Sequence, residues 1–133
     1  MSRGAAHRAL NILVIDDDAD VLKVLVEMLS VSGFIVTAAE SGVAMREILA
    51  DKTLLPFDAV ILDCAMPGEP SAKLALHAKT LRLPVVMISG SMDAMNFAEE
   101  NGLQLLTKPF RIADLLSAIN EALASSEFGQ RVA

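Results

Sequence analysis

The feature that most constrains this chain is an alternation. Five short apolar runs, rich in β-branched residues, are separated by stretches with helical spacing. The runs cover residues 12–15, 34–38, 59–62, 85–88 and 104–106. After the first run, Lys23, Glu27 and Ser30 fall at i, i+4 and i+7, one polar stripe on an otherwise apolar helix that Gly33 should stop. Further helices are predicted over about 42–50, over 72–81 before Pro84, and over 92–100 before Asn101-Gly102. The fifth has the clearest pattern: Ile112, Leu115, Leu116, Ile119 and Leu123 repeat at i, i+3, i+4, i+7 and i+11. The closing SSEFGQRVA has lost that pattern and reads as a loose tail. Five βα units joined by short connections predict an α/β fold, a five-stranded parallel sheet with helices on both faces. Continuously apolar strands suit a sheet buried on both sides.

In such folds the working site lies beyond the carboxyl ends of the strands, so the residues after each run carry the functional information. The first run ends in Asp16-Asp17-Asp18-Ala19-Asp20. Two unit charges about 4 Å apart repel by about 4 kcal/mol at an effective dielectric near 20, so this cluster needs a reason. Asp18 and Asp20 suit a helix N-cap and first turn. Asp16 and Asp17, at the strand itself, are better explained by a cation. Asp63 follows the third run, Ser89 the fourth, and Lys108-Pro109 the fifth, while the second offers only Glu40 and Ser41. Three carboxylates, a hydroxyl and an ammonium therefore belong to one rim. Asp16, Asp17 and Asp63 are hard oxygen ligands suited to Mg²⁺. A carboxylate beside such an ion can attack phosphorus, while Ser89 and Lys108 can meet phosphoryl oxygens.

With ILVIDDDADV, VILDCAMP, VVMISG and LLTKPF in this order, the chain resembles the receiver domain of two-component response regulators, the single-domain chemotaxis regulators among them. The resemblance covers residues 10–124, with 1–9 as an N-terminal arm and 125–133 as a short tail. It implies the flavodoxin-like (βα)5 fold, with Asp63 as phosphoacceptor. Asp16, Asp17, Asp63 and the main-chain carbonyl of Ala65 would hold Mg²⁺. Ser89 would be the switch hydroxyl, Lys108 would contact the phosphoryl group, and the Lys108–Pro109 bond would be cis. A sensor histidine kinase or phosphotransfer protein is the implied donor. The implied output is a changed surface for a downstream protein, or a phosphorylation-linked dimer. Beyond its own phosphorylation and dephosphorylation, no enzyme activity is implied.

The chain departs from the family pattern at three places. Leu105 stands where members usually carry an aromatic switch residue. Ala65 is small where many carry a larger polar one, which should let water reach a phosphorylated Asp63. The loop after the acceptor reads Met66-Pro67-Gly68-Glu69-Pro70-Ser71, where the family often reads Met-Pro, two residues, then Asp-Gly. Competing readings are a receiver fragment of a hybrid kinase, a phosphorylation-independent adapter favoured by Leu105, and a phosphatase with an aspartyl nucleophile at Asp16. The last lacks the Thr or Val that those enzymes carry where Asp20 stands.

Composition narrows partners and compartment. The 133 residues are 53% hydrophobic with net charge −6, enough for one packed domain. Lys and Arg form no run, which argues against nucleic acid. No apolar stretch reaches the ~18 residues of a membrane span, and MSRGAAHRAL has no apolar h-region. A lone cysteine, Cys64, excludes an internal disulfide and fits the cytoplasm. It reads as a small packing residue. His7 and His77 read as surface residues, and Met92 and Met95 as candidates for a partner surface. With nine residues after the fifth helix, no output domain is expected.

Overall fold

A computed structural model describes residues 9–132, and the side-chain surroundings of those up to Ser125. The predicted alternation is present in full. Strand β1 (Asn11–Ile15) is followed by α1 (Ala19–Val31), β2 (Ile35–Ala39) by α2 (Gly42–Ala50), and β3 (Ala59–Asp63) by α3 (Ser71–Thr80). Then come β4 (Val85–Ser89), α4 (Met95–Glu100), β5 (Gln104–Thr107) and α5 (Ile112–Val132). The strands form one parallel sheet in the order β2-β1-β3-β4-β5, the flavodoxin-like order.

Every residue of β1, β3 and β4 is buried, and side chains alternate between the two faces. Ile12, Val14, Ile61, Val86 and Ile88 pack with Leu22, Leu25 and Leu29 of α1 and Leu115 and Ile119 of α5. Leu13, Ile15, Val60, Leu62, Val85 and Met87 pack with Met45 of α2, Leu74, Ala75 and Ala78 of α3, and Ala98 of α4. Two helices thus cover one face and three the other. Burial of this kind stabilises by about 25 cal/mol per Å² of apolar surface, so the three central strands contribute heavily to the core. No helix among the described residues is long and apolar enough to cross a membrane.

Helix α1 ends as its glycine predicts. Gly33 has φ +99, and the Phe34 N–H closes back on the Leu29 carbonyl at 3.1 Å. Two expectations need correction. The fourth helix starts at Met95, not Met92, because Ser91–Ala94 form turns. Ser91 Oγ accepts from the Asp93 N–H, and Met95 N–H donates to Met92 O. Ala94, at the N-cap, makes no side-chain cap bond. At the other end, the stretch read as a loose tail from 125 is helical through Val132. Ser, Glu, Gln and Arg tolerate helix without an apolar stripe. Residues 1–8, including His7 and most of the proposed arm, lie outside the described residues.

Candidate functional site

Strand pairing continues one residue past β1. The Asp16 N–H donates to the Ala39 carbonyl of β2 at 3.1 Å, which carries the Asp16 side chain into the buried layer, 2% exposed. Its Oδ1 accepts from the Asp18 N–H at 2.9 Å. Its Oδ2 is buried with no hydrogen-bond partner. Asp17 is exposed. Asp63, the last residue of β3, is 3% exposed. Asp16, Asp17 and Asp63 each bring one carboxylate oxygen within 4.8 Å of the others.

Of the remaining rim residues, Lys108 closes on Asp63. Lys108 Nζ lies 3.2 Å from Asp63 Oδ1. The Lys108 N–H donates to the Ser89 carbonyl at 2.8 Å, so the ends of β4 and β5 are joined where Ser89 and Lys108 stand. Ser89 is buried, and its Oγ accepts from the Ser91 N–H at 3.1 Å. The Lys108–Pro109 peptide is cis. Ala65 is exposed two residues beyond Asp63.

Burial pushes the Asp16 carboxyl above its ordinary range; the Asp18 N–H opposes this, and the negative charge of Asp63 adds to it. A buried carboxylate oxygen without a partner is costly. Among the described residues, the three carboxylates here meet the ammonium of Lys108. A purely oxygen donor set with one orphaned oxygen suits a small hard cation. The residues therefore fit the implied metal.

Not every candidate belongs to this cluster. Asp18 is the N-cap of α1, accepting from the N–H groups of Asp20 and Val21, and Asp20 lies in the first turn. Ser41 caps α2 by accepting from the Ala44 N–H at 3.0 Å, and Glu40 is exposed. Leu105 is half-buried and packs in the α2–α3–α4 core with Cys64 and Phe97. The Cys64 thiol is pushed up to about 11, by burial first and by Asp63 next, so it is protonated at neutral pH. His77 is half-buried in the last turn of α3.

Three residues carry site geometry that the sequence alone did not single out. Ser71 Oγ donates to the Asp63 main-chain carbonyl at 3.0 Å, and Ser71 is buried. Arg46 of α2 grips Glu69 with two parallel bonds, Nε to Oε1 at 2.7 Å and Nη2 to Oε2 at 2.6 Å. The one visible signal was the departure of the 66–71 loop from the family pattern.

Residues 12–120 match the family model of the response regulator receiver domain. This chain belongs to that family. It is 29% identical over 117 residues to Protein PetR of Rhodobacter capsulatus, covering 85% of this chain and 48% of that protein. It is 33% identical over 118 residues to the transcriptional regulatory protein PrrA of Mycobacterium tuberculosis, covering 84% and 49%. The chain spans about half the length of these curated relatives. Among solved structures it is similar to a receiver domain protein from Clostridium thermocellum, with TM-score 0.80, 28% identity and coverage of 90% and 98%. Another, from Sinorhizobium medicae, gives 0.75 at 32% identity, with the same coverages. Receiver domains of this family typically bind Mg²⁺ in an acidic pocket and interact with histidine kinases or phosphotransfer proteins.

Proposed function

We propose that this receiver accepts a phosphoryl group on Asp63 from a histidine kinase or phosphorelay partner and thereby alters a protein-binding surface. The observation that carries this reading is the closure of Asp16, Asp17 and Asp63 into one cluster with Lys108 seated on Asp63. Asp16, Asp17, Asp63 and the Ala65 carbonyl would hold Mg²⁺, which when bound neutralises charge on the transferring group. The Asp63 carboxylate supplies the nucleophilic oxygen. Its bond to phosphorus forms as the bond from phosphorus to the donor's leaving atom breaks, and no proton is needed from Asp63. Lys108, already within 3.2 Å, stays with the group as its charge redistributes. The Ser89 hydroxyl, at the end of the neighbouring strand, can turn to donate to a phosphoryl oxygen. Such transfer is mostly positioning plus charge neutralisation, and these side chains provide both.

The chain catalyses only this phosphorylation and its reversal by water. Its switch does not run through an aromatic hydroxyl, since Leu105 occupies that place. Inward movement of Ser89 would instead be followed by repacking of Leu105 against Phe97 in the same core. Downstream, a protein target or a second receiver reads the surface. A phosphotransfer profile of the wild-type chain and Asp63→Asn against candidate kinases tests this. Rapid label transfer from one kinase to wild type and none to Asp63→Asn is expected. Partner binding and cellular phenotype untouched by Asp63→Asn would establish a phosphorylation-independent adapter instead.

A further inference from the structure

The Asp63–Cys64 peptide is held at both of its polar groups. The Cys64 N–H donates to the Ile88 carbonyl of β4 at 2.8 Å. The Asp63 carbonyl accepts from Ser71 Oγ at 3.0 Å, eight residues further along the chain. Ser71 opens α3, where Pro70 at the N-cap makes no side-chain cap bond. Its hydroxyl is buried, so it serves the end of β3 rather than its own helix. The loop between is fixed a second time at its far end, where Arg46 grips Glu69. Gly68, at φ +93, allows the turn that brings Glu69 to α2.

We infer that Ser71 is a positioning residue for the phosphoacceptor: by holding the Asp63 carbonyl it fixes the Asp63–Cys64 peptide plane, and with it the Asp63 Cα from which the acceptor side chain projects. This rests on the receiver reading above. A peptide pinned at N–H and C=O cannot rotate about its neighbouring bonds. The direction of the Asp63 side chain toward Asp16, Asp17 and Lys108 is then set before any ligand arrives. Without the hydroxyl, the Asp63 carbonyl is free to seek another donor, and the ligand set loses its preset geometry. Partners behind a metal ligand commonly change metal affinity by about 10–100-fold; a contact acting through the main chain belongs at the low end.

The test compares wild type, Ser71→Ala, Ser71→Thr and Ser71→Cys for Mg²⁺ affinity, rate of Asp63 labelling by acetyl phosphate, and thermal midpoint. Calorimetry suits the affinity, because the chain has no Trp or Tyr. Ser71→Ala should bind Mg²⁺ about tenfold more weakly and label correspondingly slowly, and Ser71→Thr should recover both by keeping the hydroxyl. Ser71→Cys, of similar size but a weaker donor, should fall between and serves if the alanine variant does not fold. A lowered midpoint with wild-type Mg²⁺ affinity in the Ala or Cys variant would overturn the positioning role and leave Ser71 merely structural. A wild-type chain that takes no label on Asp63 would overturn the receiver reading, and this inference with it.

Discussion

At the scale of the residue, the unusual object is Asp16. It is buried, raised above the ordinary carboxyl range, and left with one oxygen unpartnered beside two further carboxylates. Without a cation this arrangement opposes folding. Asp16→Asn keeps the acceptor for the Asp18 N–H and replaces the orphaned oxygen with a donor. In metal-free buffer it should raise the thermal midpoint by about 3–6 °C, corresponding to about 1 kcal/mol for a domain of this size. The same variant should lose at least about tenfold in Mg²⁺ affinity, and a calorimetric titration beside a melting curve checks both. Lys108→Met removes the ammonium that sits on Asp63 and should slow labelling of Asp63 by about 100-fold, with little effect on Mg²⁺ binding. These residues were legible in the sequence because each follows an apolar run, and a strand's end fixes where the next residue goes. Ser71 was not legible. It follows an irregular loop whose path depends on Gly68, and no periodicity predicts where a hydroxyl at the start of such a helix will point.

At the scale of the element, the helices are joined by contacts that spacing does not reveal. A Cβ at Gly42, the first residue of α2, would meet Leu74 Cδ1 of α3 at 2.9 Å. Leu74 is fully buried, so it has little room to move. Gly42→Ala should therefore destabilise by about 1–2 kcal/mol, as overpacking does, despite the better helix propensity of alanine; a denaturant titration measures it. The Arg46–Glu69 grip joins α2 to the loop before α3. Its hydrogen bonds hold the Glu69 carboxyl below its ordinary range. A carboxylate lowered on folding contributes stability above its unfolded pKa and loses it as pH falls through the folded value. Wild type should thus melt slightly above Glu69→Gln at neutral pH. The gap should close below about pH 4, where unfolded glutamate protonates, and shrink with added salt. The borders of α4 and α5 were misread for the same reason in reverse. Apolar periodicity reports what a helix packs against, so it overlooked the turns before Met95 and the helical turns that continue to Val132 without an apolar repeat.

At the scale of the whole molecule, one sheet does the assembling. The order β2-β1-β3-β4-β5 puts β1 beside β3 and β3 beside β4. Asp16, Asp63 and Ser89 thereby share an edge although they lie far apart in sequence. The apolar alternation made that architecture readable, since buried strands of this kind admit few alternatives. Ala65 is exposed two residues past Asp63, and its small side chain is expected to leave water a path to a phosphorylated Asp63. Replacing it with a bulky residue such as Arg should lengthen the phosphate lifetime several-fold, by analogy with excluding water from other closed sites; an unchanged decay of label removes that idea. The central claim is that the rim works as one phosphoacceptor with Asp63 as its nucleophile. The most direct measurement is to incubate the chain with acetyl phosphate and Mg²⁺ and map the modified residue by mass spectrometry. A single phosphoryl group on Asp63, absent without Mg²⁺ and absent in Asp63→Asn, is the predicted result. Label on Asp16 with many turnovers would contradict it and make the cluster a phosphatase centre.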